Sequence, residues 1–265
     1  MLDRTRLRQP KENRTLVIMT LDLDNIREYV VPLFIAEDPA LIKADQPIVV
    51  SRDRFLGNAF FVAKNGIALT AAHCIPDPAT ISSGHAFLAI IWDGQRPRAQ
   101  QVQLAAILDG QDVGVLKIAH APSKYLPVSF SPIHMGQDVV TVGIPLHSVS
   151  GVDYEYRCLK GNVTRVSKTI ELSFPAPRGM SGAPILAGGE VVGVMSWNAR
   201  AESLEDQSNE HVETFGPLTR ITKTITMAIT NYGQAEPLSS LASKALSFTE
   251  GVAFEPFLTS INSTK

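Results

Sequence analysis

Pro177-Arg178-Gly179-Met180-Ser181-Gly182-Ala183-Pro184 sets a serine between two glycines at a tight turn, with the apolar run Ile185-Leu186-Ala187 behind it. Glycines at 179 and 182 suit a backbone that must approach a ligand closely or take dihedrals closed to other residues. Such a turn can hold the Ser181 hydroxyl outward while the N–H groups of Gly179 and Ser181 point into one small concavity. Acyl transfer requires that arrangement, a nucleophile beside donors that stabilise the developing oxyanion. An ordinary surface turn has a similar composition, so the reading depends on what else the chain supplies.

Two further stretches supply it. Thr70-Ala71-Ala72-His73-Cys74 closes an apolar segment made of Ala59–Ala63 and Gly66–Leu69. Asp112-Val113-Gly114-Val115-Leu116-Lys117-Ile118 is an acid opening an apolar strand. A serine hydroxyl is a poor nucleophile at neutral pH and needs a base to take its proton. The base in turn needs a carboxylate to fix its tautomer and stabilise the imidazolium. With His73, Asp112 and Ser181 in that order, the chain resembles the trypsin/chymotrypsin-like serine protease superfamily, whose bacterial-type members it resembles most. Its signatures there are a T-A-A-H-C segment, an acid opening a strand, and G-x-S-G-x-P.

The resemblance covers roughly residues 45–230 and implies an all-β fold of two six-stranded antiparallel β-barrels with a C-terminal helix. It implies catalytic roles for His73 as general base, Asp112 as its orienting partner and Ser181 as nucleophile, with the N–H groups of Gly179 and Ser181 as oxyanion hole. Ser196-Trp197-Asn198 resembles the family's S-W-G segment, where the serine supports the acid and the next two residues pair with extended substrate. Asn198 in place of glycine should narrow the specificity pocket. A trypsin-type pocket would carry an acid at the position of Pro175, so a preference for Arg or Lys is not expected. Met180 replaces the aspartate that pairs with a new N-terminus in zymogen-activated members, so other contacts, or a regulatory partner, must order the oxyanion loop.

Strand patterns agree with two barrels. Runs at Ile48–Val50, Asn58–Ala63, Ile67–Ala71, Ala86–Trp92, Val102–Leu108 and Val113–Ile118 are separated by turn residues at about ten-residue spacing, as in a closed barrel. A second series follows at Val139–Val142, Tyr154–Leu159, Val163–Val166, Thr169–Phe174, Ala183–Leu186 and Val191–Trp197, with a last strand within Thr214–Leu218. The expected division is 1–45 as an N-terminal extension, 46–125 as the first barrel, 126–232 as the second barrel plus helix, and 233–265 as a tail without assigned fold. Tyr29–Ile35 reads as a strand with proline at its edge, Arg200–Glu213 as an exposed loop, and Thr219–Asn231 as the C-terminal helix.

Composition sets the remaining bounds. The chain has 265 residues, 45% hydrophobic and 19% charged, which describes a folded protein rather than a disordered one. A net charge of −2 gives no electrostatic reason to expect nucleic acid or an anionic membrane as partner. The expected partner is a protein or peptide substrate bound in extended form. No cofactor and no metal are implied. No run is long enough to span a bilayer, Met1–Asn13 lacks the apolar core of a secretory leader, and the expected location is the cytoplasm. The two cysteines, Cys74 and Cys158, read as free and largely buried thiols of a reducing compartment. His85, His120, His134, His147 and His211 lack the context of His73 and read as surface or loop residues.

Overall fold

Ala59-Phe60-Phe61-Val62-Ala63 is apolar without alternation because both of its faces are covered. Successive side chains of a strand point to opposite faces. Ala59 and Phe61 point into one barrel, with Val31, Leu33, Ala68, Leu116 and Ile118. Phe60 and Val62 point the other way, into a cluster shared with a second barrel through Val142, Leu186, Val191 and Val194. The computed structural model describes residues 23–37, 51–93, 96–108, 110–150, 153–200, 207–215, 218–226, 231–244 and 253–263.

The first barrel is built from β1 (Val30–Ala36), β2 (Phe55–Phe61), β3 (Ile67–Thr70), β4 (Ala86–Asp93), β5 (Arg96–Ile107) and β6 (Gly114–Ile118), with α1 (Pro78–Ser82) between β3 and β4. It closes in the order β1-β2-β3-β6-β5-β4. Its sixth strand is therefore Val30–Ala36, from the stretch expected to be an extension. Ile48–Val50, expected to be a barrel strand, lies outside the described residues, as does the charged segment 1–14. Pro32 does not sit on an edge strand, since β1 pairs on both sides. It is accommodated because the β1–β4 ladder begins only at Leu33, so its missing N–H is not called for there.

The second half contains β7 (Asp138–Gly143), the short pair β8 (Val149–Ser150) and β9 (Asp153–Tyr154), β10 (Arg157–Val166), β11 (Ile170–Leu172), β12 (Pro184–Ala187), β13 (Glu190–Arg200), β14 (Gln207–Phe215), β15 (Leu218–Thr226) and β16 (Asn231–Pro237). The barrel closes as β10-β11-β16-β13-β12-β7. Both barrels are antiparallel throughout, the architecture of the chymotrypsin-like fold.

Three expectations change here. Residues 207–213, within the stretch Arg200–Glu213 expected as an exposed loop, belong to strand β14. Residues 214–218 do not form the last barrel strand; β16 does, and β14 and β15 make a separate two-stranded ribbon, paired from Gln207↔Thr226 to Phe215↔Leu218. The C-terminal helix is present but lies at α2 (Phe254–Ser263), not within Thr219–Asn231. Ile221, Ile225 and Ile229 mimic helical spacing, yet Thr and Ile crowd residues 219–226, and β-branched side chains favour extended backbone. Phe254 and Leu258, one helical turn apart, enter the cluster between the barrels, and Asn262 Nδ2 donates to Val62 O at 3.2 Å. No helix among the described residues is long and apolar enough to cross a membrane.

Candidate active site

Register brings His73 and Asp112 together. β3 and β6 are antiparallel, with Thr70 opposite Gly114, so the residues just after β3 and just before β6 meet at one end of the barrel. His73 lies in a tight 3-10 turn, Ala72–Cys74, pinned by the buried Cys74. Asp112 grips it twice: Oδ1 accepts from the His73 backbone N–H at 3.0 Å, and Oδ2 lies 2.8 Å from Nδ1.

The second barrel answers with Ser196. The β13–β16 ladder slips between Met195 and Trp197, a bulge of the kind that re-aims a side chain beside a functional site. The Ser196 hydroxyl, 2% exposed as a residue, donates to Asp112 Oδ2, and its carbonyl accepts from Ser181 Oγ at 2.8 Å. His73, Asp112, Ser196 and Ser181 thus form one linked chain across the seam of the barrels. Among the described residues no hydrogen bond joins Ser181 Oγ directly to His73.

Charge follows this geometry. His73 is pushed up to about 10, first by its bond to the Asp112 carboxylate and then by the neighbouring Cys74 sulfur, against the effect of burial. For Asp112 the largest single influence is burial, which raises it. The bonds from His73 and Ser196 together outweigh that and hold the carboxyl below its ordinary value. Behind it lies Glu236 of β16, 8% exposed, whose carboxyl is raised by burial and by the negative charge of Asp112.

The Ser181 turn is fixed by its own carbonyls. Met180 N–H donates to Pro177 O at 3.1 Å, Ala183 N–H to Met180 O at 3.1 Å, and Leu146 N–H to Arg178 O at 2.7 Å. A trans peptide aims its N–H opposite to its C=O. Holding the carbonyls of Arg178 and Met180 therefore turns the N–H groups of Gly179 and Ser181 the other way, and neither has an acceptor among the described residues. Gly179 has φ +96°, and a Cβ there would run into Leu146 N. Met180 is fully buried in the second barrel's core, which suits an apolar residue and leaves no ion pair at that position.

The family model described as the trypsin-like peptidase domain matches residues 57–194, just over half of the chain. The chain belongs to the trypsin-like peptidase family. Among solved structures, this trypsin-like peptidase domain is similar to neuropsin, a serine protease expressed in the limbic system of mouse brain. That match has 13% identity and a TM-score of 0.49 over 74% of this chain and 91% of that one. It is also similar to the serine endoprotease from Yersinia pestis, at 17% identity and a TM-score of 0.49 over 81% of this chain. The match spans 60% of the Yersinia chain, less than two thirds of it. The comparison with curated proteins returns no match.

The other expected residues of the peptidase domain divide. Trp197 and Asn198 lie on β13, opposite Gln234 and Gly233 of β16; their side chains lie outside the described residues. Pro175 is exposed, next to the buried Ala176 and to Phe174, whose carbonyl accepts from Gly233 N–H at 2.9 Å. His85 bonds Ser83, the His120 ring is tilted against that of Phe61 with centroids 5.7 Å apart, and the side chain of His211 is outside the described residues. Both cysteines are free, Cys74 buried as expected but Cys158 exposed. Cys158 shares a face of β10 with the exposed Lys160.

Asn58 was missed as anything but a strand residue. It is fully buried and touches the Ser181 turn through both backbone and side chain. Its signal was present: a single amide inside the apolar run 56–63 must find partners, because buried polar groups are hydrogen-bonded.

Proposed function

We propose that this peptidase-family chain is a serine endopeptidase that cleaves extended protein or peptide segments through an acyl-enzyme, and that it works in a reducing, cytoplasmic setting, which its two free thiols suit. The observation that carries the reading is the linked chain His73–Asp112–Ser196–Ser181 across the barrel seam. In this mechanism Ser181 Oγ swings about its χ1 bond from Ser196 O to His73 Nε2, a rotamer change that is fast on the catalytic timescale. His73 takes the hydroxyl proton as Oγ attacks the carbonyl carbon. Asp112 holds the imidazolium that results. The N–H groups of Gly179 and Ser181 receive the negative charge on the carbonyl oxygen. His73 then returns its proton to the leaving amine, and water repeats the sequence on the acyl-enzyme.

A fluorophosphonate that traps activated serines tests this, together with hydrolysis of a denatured protein substrate. The expected result is labelling of the wild type and none of Ser181→Ala, with turnover reduced by about 10⁴–10⁶ in the variant. A second reading is a peptide-binding module of the same fold without turnover. It draws on the engagement of the Ser181 hydroxyl by Ser196 O rather than by the imidazole. Wild-type protein that binds peptides yet never labels would establish that reading and refute the first.

A further inference from the structure

The Ser181 turn is gripped from outside its own barrel. Asn58 belongs to β2 of the first barrel, and its carboxamide reaches the second at three places. Oδ1 accepts from Ile144 N–H at 2.8 Å, and Nδ2 donates to Gly179 O at 2.8 Å. Nδ2 also lies 3.3 Å from Ile144 O and 3.4 Å from Ser181 O. The Asn58 backbone N–H donates to Ser181 O at 2.8 Å, and its own carbonyl is anchored by Thr70 Oγ1 at 2.6 Å. One residue thus binds both Ile144, two positions before Leu146, and Gly179, one position after Arg178. Those two positions flank the Leu146 N–H to Arg178 O bond, which sets the direction of the Gly179 N–H.

We propose that Asn58 is a positioning residue: its carboxamide fixes Gly179 O and, through Ile144, the backbone that presents the Leu146 N–H, so that the Leu146–Arg178 bond stays made and the 178–179 peptide keeps the Gly179 N–H aimed at the oxyanion. This rests on the peptidase reading. It answers how the turn is ordered when position 180 carries a buried methionine instead of an acid. Without the carboxamide, Ile144 N–H loses its acceptor and Gly179 O its donor. Leu146, two positions on from the loosened Ile144, can then draw away from Arg178 O, and the 178–179 peptide, released from that bond, can turn its carbonyl into the concavity where the oxyanion must sit. The backbone bond to Ser181 O survives, so the nucleophile itself stays in place.

The test compares wild type, Asn58→Ala and Leu258→Ala, the last a core truncation in α2 remote from the turn. Each is assayed under conditions where urea curves show it folded. The readouts are kcat and KM on a peptide substrate, inhibition by a peptidyl boronate that forms a tetrahedral adduct on the serine, and amide exchange of residues 177–184. Asn58→Ala should lower kcat by about 10²–10³, as loss of one oxyanion donor does. Its KM should stay within about threefold, boronate affinity should fall in parallel with kcat, and exchange in 177–184 should accelerate. Leu258→Ala should change none of these. A kcat within about threefold of wild type, or a loss appearing equally in KM, overturns the proposal. A wild type that never labels with fluorophosphonate overturns the peptidase reading instead. Unchanged exchange in Asn58→Ala would then still refute the grip on the turn.

Discussion

Gly182→Ala is the substitution for which the coordinates give the largest single clash beside the site. Gly182 has φ +79°, and a Cβ built on it would lie 2.6 Å from Thr70 Oγ1 and closer still to the Asn58 carbonyl oxygen. The latter belongs to a barrel strand and has little room to retreat. Two costs combine. The left-handed backbone costs a non-glycine residue about 1–2 kcal/mol, and forcing a methyl into a packed contact costs about 1–3 kcal/mol more. Gly188→Ala separates them: it too has positive φ, +60°, but nothing lies within 4 Å of its added Cβ. Urea unfolding should therefore show Gly188→Ala losing about 1–2 kcal/mol and Gly182→Ala about 2–5 kcal/mol. Fluorophosphonate labelling should slow only in Gly182→Ala, because relief of the clash moves Ser181 against β2. Equal losses for the two variants, with equal labelling, would refute the claim that β2 lies directly on the nucleophile turn.

Three further outcomes follow from the same geometry. His73 acts as base only when deprotonated, so kcat/KM should rise with pH along a limb displaced from the ordinary histidine range toward about 10. Asp112→Asn should return that limb toward about 6.5 while lowering the plateau by about 10⁴-fold; an unmoved limb in the variant would count against the Asp112 assignment. Because the folded-state value of His73 is raised, the stability its pairing contributes is complete below about pH 6.5 and lost as pH climbs toward 10. The gap in urea midpoint between wild type and Asp112→Asn should narrow over that interval. Phe254→Ala removes a fully buried ring that packs edge-on against Phe130 at 5.7 Å, and should cost about 3–5 kcal/mol by calorimetry or urea unfolding.

The parts of the fold legible in the sequence were those with a local cause. Apolar runs bounded by Asn-Gly or Asp-Gly turns became strands, and the segments around His73, Asp112 and Ser181 could be picked out from their own residues, although the β3–β6 register and the Ser196 link are what bring them to one seam. What escaped depended on distant pairing. Val30–Ala36 became a barrel strand only by finding β2 and β4, and no feature of its own sequence names those partners. Residues 219–226 carried two conflicting signals, a spacing near the helical period and a density of β-branched side chains, and the second prevailed. The role of Asn58 was hidden for a similar reason, since its partners stand more than eighty positions away. Ser196 was recognised as support for the acid. That its carbonyl holds the Ser181 hydroxyl depends on a one-residue slip between β13 and β16 that periodicity does not announce.

The placement of α2 has a bearing on how the molecule comes into being. Phe254 and Leu258 complete a cluster to which both halves contribute, and both follow every other element in the chain. A ribosome has thus released His73, Asp112 and Ser181 well before it releases the residues that fasten the two halves together. Until then the seam between the halves lacks the apolar seal that α2 adds to the Asn58 and Ser196 bonds, whose residues are all released earlier.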